Sequence, residues 1–186
     1  MFLKNNLLTL LIWLPILGAF FSLCTANDTQ ANKARWISLF TSILTLILCI
    51  PLYLNFDTNS SAMQFVENYS WIPAYHIYYH IGVDGISMPM IILTCITTLV
   101  VILASWHSIK NKVAQYMAAF LIMQGMMIGM FSALDSMLFY VFWEGMLIPI
   151  YISIGVWGSD NRTYASIKFF LYTFAGSALM LVALLY

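Results

Sequence analysis

The chain has 186 residues, of which 62% are apolar and 8% charged, against roughly 45–50% and about 25% in a soluble globular domain. That imbalance excludes a water-soluble fold. Seven Lys and Arg balance seven Asp and Glu, so no basic excess exists to neutralise a run of phosphates, and nucleic acid is excluded as a partner.

A bilayer core of ~30 Å needs about 20 helical residues, and hydrocarbon admits only structures whose backbone groups are satisfied internally. Six apolar runs have this length: Leu7 to Cys24, Trp36 to Leu54, Ile86 to Trp106, Val113 to Leu134, Met137 to Trp157 and Ile167 to Tyr186. The expected fold class is an all-α polytopic membrane protein of about six transmembrane helices. Residues 1–54 hold the first two, 55–82 form an extracytoplasmic connection, and 83–186 hold helices three to six. Lys4 ahead of the first run allows a signal peptide, but the run exceeds the ~7–15 residues of a signal core and Leu23 is not the small residue that cleavage before Cys24 needs. It is read as an uncleaved spanning helix.

Cations set the orientation, because short loops rich in Lys and Arg stay cytoplasmic. Lys33 and Arg35, Lys110 and Lys112, and Arg162 and Lys168 flank the first, third and fifth turns, while the second and fourth hold Asp57, Glu67 and Asp135 and no cation. This pattern predicts an extracytoplasmic N-terminus, with Lys4 the single dissenter. The long connection from Asn55 to His80 is then outside. Within it, Phe65, Tyr69 and Trp71 recur at even spacing with Glu67 between them, the period of a strand, and Tyr75, Tyr78 and Tyr79 follow, which predicts a short surface hairpin. The last run still reads as membrane interior from Leu179 to Leu185, so the sequence is expected to be part of a longer one.

Glu144 is the candidate for chemistry. It lies eight residues into the fifth run, about 12 Å below the outer surface. An ionisable group at that depth costs roughly 2.5–3.5 kcal/mol and is usually functional or paired. Its helical face carries Tyr140 and Tyr151, the polar stripe of this helix. The competing reading is a protonated acid hydrogen-bonded to a neighbouring helix. Pro149 frees the carbonyl of Gly145 beside it. Lys168 is a weaker candidate, near the inner surface and able to extend to the headgroups. The depth difference of about 10 Å argues against a direct pair with Glu144.

His76 and His80 lie in the outer connection and His107 at the opposite surface, which argues against haem ligation inside a bundle. Cys24, Cys49 and Cys95 sit in apolar runs and read as small hydrophobes, with no metal spacing. Gly125 and Gly129, and the cluster Ala175, Gly176, Ser177 and Ala178, read as helix-packing surfaces. No nucleotide loop, nucleophile elbow or metal-ligand cluster occurs, so redox or hydrolytic chemistry is expected elsewhere.

The stretch Trp71-Ile72-Pro73, with His80-Ile81-Gly82-Val83-Asp84-Gly85-Ile86-Ser87, resembles the outer segment and third helix of the subunit M family of bacterial NADH-quinone oxidoreductase, respiratory complex I. The resemblance continues through Phe139-Tyr140-Val141-Phe142-Trp143-Glu144-Gly145-Met146-Leu147-Ile148-Pro149, Gly155-Val156-Trp157-Gly158 and Tyr164-Ala165-Ser166-Ile167-Lys168-Phe169-Phe170-Leu171-Tyr172-Thr173. It implies an antiporter-like, proton-translocating subunit of the membrane arm. Glu144 matches the family's fifth-helix glutamate, which pairs with a lysine on the seventh helix, and Lys168 matches the lysine at the start of the sixth. It further implies no cofactor in this chain, with flavin, iron–sulfur clusters and quinone in partner subunits, and other membrane subunits of complex I and the lipid bilayer as partners. The rival readings are a subunit of a multisubunit cation/proton antiporter or membrane-bound hydrogenase, and, from another class, a non-conducting scaffold.

Overall fold

A computed structural model describes residues 6–25 and 31–186; Lys4, Asp28 and part of the first turn lie outside the described residues. In chain order the elements are α1 (Leu7–Leu23), α2 (Ala31–Leu54), β1 (Gln64–Ile72), a 3-10 turn (Pro73–Tyr75), β2 (Ile77–Val83), α3 (Ser87–Ser108), α4 (Val113–Ser132), α5 (Ser136–Trp157) and α6 (Arg162–Leu185). Helices α2 to α6, of 20–24 residues, are long and apolar enough to cross a bilayer. The 17 residues of α1 span about 25 Å. The chain is an all-α membrane protein with one small hairpin.

Helix α4 is the centre of the bundle, buried against α1, α2, α3 and α5. Its glycines make this possible. A Cβ on Gly125 would lie 2.6 Å from the Ile12 carbonyl oxygen of α1, and one on Gly129 would lie 2.6 Å from the Phe142 ring of α5. The two glycines therefore admit different neighbours, one turn apart, as small residues do in lipid where burial of apolar surface drives no association. In the second small-residue cluster only Ser177 is buried, and a Cβ on Gly176 would meet nothing within 4 Å. Gly125→Ala is accordingly expected to cost about 1–3 kcal/mol through overpacking against backbone, while Gly176→Ala costs nothing. Thermal unfolding midpoints of the two variants in the same detergent check the contrast.

Where polar side chains enter the bundle they mostly return to their own helix. Thr41, Thr45, Thr94 and Thr98 donate to carbonyls four residues back, so these hydroxyls are satisfied without a partner helix. Cys49 of α2 and Cys95 of α3 are both buried, with sulfurs 3.4 Å apart. They fill space between helices, as expected of thiols in apolar runs. Cys24 is exposed at the end of α1.

The hairpin forms as its alternation predicts. Strands β1 and β2 pair antiparallel, Asn68 opposite His80 and Tyr69 opposite Tyr79, with irregularities between Gln64 and Glu67 and between Ser70 and Ile72. The face carrying Phe65, Glu67, Tyr69 and Trp71 is not simply apolar. Glu67 is its most buried member, whereas Tyr69 and Trp71 are about half exposed. The hairpin clamps helix ends. Glu67 Oε1 accepts from the backbone N–H of Leu8 at 2.9 Å, and Oε2 accepts from the Thr9 hydroxyl. Tyr69 donates to Asn6 Oδ1 at 2.6 Å. On the other strand, His80 O accepts from Leu134 N at 2.9 Å in the α4–α5 turn. The carboxylate of Asp135 there accepts from Met137 N and Leu138 N with Oδ1 and from Tyr78 N with Oδ2.

Helix α3 starts from a local cap. Asp84 Oδ1 accepts from Ile86 N and Ser87 N, and the Ser87 hydroxyl accepts from Asp84 N. These donors, Ser87 N first, hold the Asp84 carboxyl below the ordinary carboxylate value of 3.8. A depressed folded-state value means that the cap's contribution is present above the unfolded value and is lost as pH falls through the folded one. Amide exchange in residues 84–90, corrected for intrinsic rate, should stay protected at pH 5 and open only as pH falls below the ordinary carboxylate value of 3.8. The Asp84→Asn variant should show no such pH step.

Candidate functional site

Glu144 is the ninth residue of α5, about 13 Å along the helix from its Asp135 cap. The Asp135 cap and the hairpin bonded to it fix where α5 begins, and so fix the depth of Glu144. Three contacts set the register of the antiparallel pair α5 and α6. The Tyr140 side chain lies near Ser177, the rings of Tyr151 and Phe170 meet edge-on at 5.6 Å, and a Cβ on Gly155 would lie 3.4 Å from Ser166 Oγ. Interpolating between them puts Glu144 level with Phe174 and Ala175, on the face of α5 that α6 covers. The stripe Tyr140, Glu144, Tyr151 expected from the sequence is one physical surface, turned toward α6.

The carboxylate is half-buried, and its Oε1 is buried without a hydrogen-bond partner among the described residues. An unsatisfied carboxylate oxygen inside a bundle costs more than a neutral polar group would, since burial penalises the charged form most. The helix runs unbroken through Pro149, which is buried. The freed Gly145 carbonyl thus lies within the helix beside Glu144.

Lys168 is not brought to Glu144. The same register sets it level with Ser153, more than two turns and about 13 Å away. Its Nζ lies 5.7 Å from the centre of the Tyr164 ring and 5.9 Å from that of Tyr172, and the side chain is exposed. The two aromatic faces, one turn either side, hold the ammonium on the surface of its own helix.

Two buried polar groups escaped the sequence reading. The sequence marks Glu67 only as an acid between the aromatics of the strand, and the docking of the hairpin on α1 buries it to 4% exposure. Gln124 is fully buried in α4, with neither amide atom partnered among the described residues. Its only sequence signal is an amide in the middle of an otherwise apolar run. His76, His80 and His107 do not gather, and no group of three His, Cys, Asp or Glu positioned for a metal occurs among the described residues.

The bundle thus presents a half-buried carboxylate on its fifth helix, on a face shared with Tyr140 and Tyr151. Residues 7–134 match the family described as NADH-ubiquinone oxidoreductase chain 4, amino terminus, and residues 133–186 match NADH:quinone oxidoreductase/Mrp antiporter, TM. The chain belongs to the first of these, the NADH-ubiquinone oxidoreductase chain 4 family. It is 40% identical over 189 residues to NADH-quinone oxidoreductase subunit M of Rickettsia typhi, covering 99% of this chain and 38% of that one. With the subunit M of Rhodobacter capsulatus it shares 41% over 183 residues, 97% of this chain and 35% of the relative. The chain therefore spans well under half the length of the relatives it matches. Respiratory complex I from Thermus thermophilus superposes with a TM-score of 0.81 at 26% identity, over 96% of this chain and 35% of that one. The Mrp complex from Dietzia gives 0.79 at 19% identity, over 95% and 19%, a likeness of fold alone.

Proposed function

We propose that the chain serves in the membrane arm of a proton-translocating NADH-quinone oxidoreductase and that Glu144 is a protonatable residue of its ion path. The observation that carries this is the unpartnered buried Oε1 of Glu144 on the α5 face toward α6, in a chain of this family. A nearby cation favours the ionised form of a buried carboxylate and desolvation favours the neutral form, so moving a cation by a few Å makes such a group release or take up a proton. Quinone reduction in a partner subunit drives that movement. The chain itself binds, holds and passes protons; flavin, iron–sulfur clusters and quinone belong to the partners, and the other membrane subunits of complex I pack beside it. Lys168, more than two turns from Glu144, acts on it only through intervening groups or water. Higher identity to subunit M proteins than to the Mrp structure favours the oxidoreductase over the antiporter reading. The test is NADH-driven proton uptake by assembled complex carrying Glu144→Gln, and unchanged uptake overturns the assignment.

The cation distribution supports a bacterial inner-membrane topology with the hairpin and the N-terminus extracytoplasmic. In the Cys24→Ser background, Ser60→Cys and Asn111→Cys should be labelled by an impermeant thiol reagent from opposite faces. Labelling of both from one face would refute this topology.

A further inference from the structure

The face opposite the hairpin carries Lys33, Arg35, Lys110, Lys112, Arg162 and Lys168, six of the seven cations of the sequence. Three of these, Lys110, Lys112 and Arg162, line one cavity of about 660 Å³ between the α3–α4 loop and the end of α5. The cavity is built, not merely bordered by mobile lysines. Trp157 Nε1 donates to the Asn111 carbonyl at 3.0 Å, and its ring meets that of Tyr116 edge-on at 5.2 Å. Arg162 Nη1 donates to the Val156 carbonyl at 2.9 Å, which anchors the guanidinium at the rim while most of its five N–H donors stay free. From behind the loop, Arg35 Nη2 donates to the Ile109 carbonyl at 2.9 Å, adding a fourth positive charge nearby.

Lys112 and Asn161, which precede α4 and α6, have left-handed backbone at φ 53° and 61° and give no side-chain cap, but the C-terminal ends of α3 and α5 at Ser108 and Trp157 line the same cavity, so the helix dipoles oppose one another and the positive field comes from the side chains. Asp160 is the one carboxylate on this face among the described residues, and it does not line the cavity. Trp157 and Tyr116 are the residues that mark the headgroup level of a membrane protein.

We propose that this cavity binds the phosphate of an anionic phospholipid headgroup. Lys110 and Lys112 supply charge, and Arg162 supplies the planar fork that matches two phosphate oxygens. Trp157 and Tyr116 place the cavity at headgroup level and Ile109 and Val156 line it beside the cations, a pairing of charge and apolar wall that selects a lipid as the source. Basic pockets between spanning helices on one membrane face are suited to such headgroups. The inference rests on this geometry and not on the role of Glu144.

The experiment is native mass spectrometry of the full chain in zwitterionic detergent, titrated separately with phosphatidylglycerol, phosphatidylcholine and inorganic phosphate. Phosphatidylglycerol should be retained at least tenfold better than phosphatidylcholine, and each lining cation removed should weaken it about five-fold. Lys110→Gln with Arg162→Gln should bring it down to the phosphatidylcholine level, whereas Lys33→Gln, on the same face but outside the cavity, should change nothing. Helix content by circular dichroism establishes that a variant is folded, and Lys112→Gln alone serves where the double variant is not. Undiminished phosphatidylglycerol retention in a folded variant overturns the site. Equal retention of the two lipids, or inorganic phosphate binding with the same variant sensitivity and displacing the lipid, overturns the headgroup assignment.

Discussion

Glu144→Gln, in assembled complex present at wild-type amount, is expected to reduce proton uptake to below a tenth of wild type, with quinone reduction falling in step where the two are tightly coupled. Glutamine keeps the length, the branching and a hydrogen-bonding carbonyl, so the α5–α6 contacts at Tyr140, Tyr151 and Gly155 survive; only titration is lost. That isolates proton chemistry from packing. Glu144→Asp should retain much more activity, because it keeps an acid and withdraws it by about one methylene, on a helix whose depth the Asp135 cap has already fixed. Lys168→Ala should be milder, since the register leaves its ammonium on the surface between Tyr164 and Tyr172 with water as an alternative partner. The measurement is NADH-driven proton uptake alongside quinone reductase rate. Normal values for both in the Gln variant would reduce Glu144 to a structural hydrogen bonder, the reading a scaffold protein requires.

Glu67→Ala should be the most destabilising single substitution at the hairpin. The carboxylate accepts from Leu8 N, Thr9 N and the Thr9 hydroxyl, the first two being donors that the opening turn of α1 cannot satisfy itself. Removing it orphans buried donors at about 1–3 kcal/mol each, more for a charge-assisted bond, so a loss of several kcal/mol is expected. It also strips the α1 N-terminus of a negative charge that the helix dipole favours. Glu67→Gln keeps one acceptor oxygen and should lose roughly half as much. Thermal midpoint and amide exchange of residues 7–11 report both effects: exchange should rise in α1 before it rises in α4. An unchanged midpoint in Glu67→Ala would mean that the hairpin does not hold α1. The neighbouring Tyr79 phenol, pushed up from its ordinary value by burial, stays neutral through the physiological range. The aromatic wall of this dock therefore adds no charge of its own.

How much of this was legible in the sequence follows from what each feature depends on. The six helices were, because a spanning helix is a local object: its length is set by bilayer thickness and its backbone bonds close within the segment. Their observed bounds differ from the apolar runs mostly where a helix extends past its apolar stretch, as α2 does back to Ala31 and α6 to Arg162. The hairpin was legible through its alternating aromatics, and Glu144 through the cost of a carboxylate at that depth. The register that separates Lys168 from Glu144 was readable only roughly, from depth.

Other features needed the assembled molecule. Glu67 alternates with aromatics as a solvated residue also would, and nothing local says that the first turn of α1, 58 residues away, presents donors to it. Gly125 and Gly129 read as one packing motif, yet they face α1 and α5 separately, because adjacent turns of a central helix look out on different neighbours. Lys110, Lys112 and Arg162 read as loop charges that orient the chain. Only the bond from Trp157 to Asn111 and the return of α6 beside α5 make them walls of one cavity. Sequence alone therefore determined what each segment is and how deep it lies, since the bilayer imposes both one segment at a time; which side chains meet was decided by tertiary packing, because those contacts join segments that no local periodicity relates.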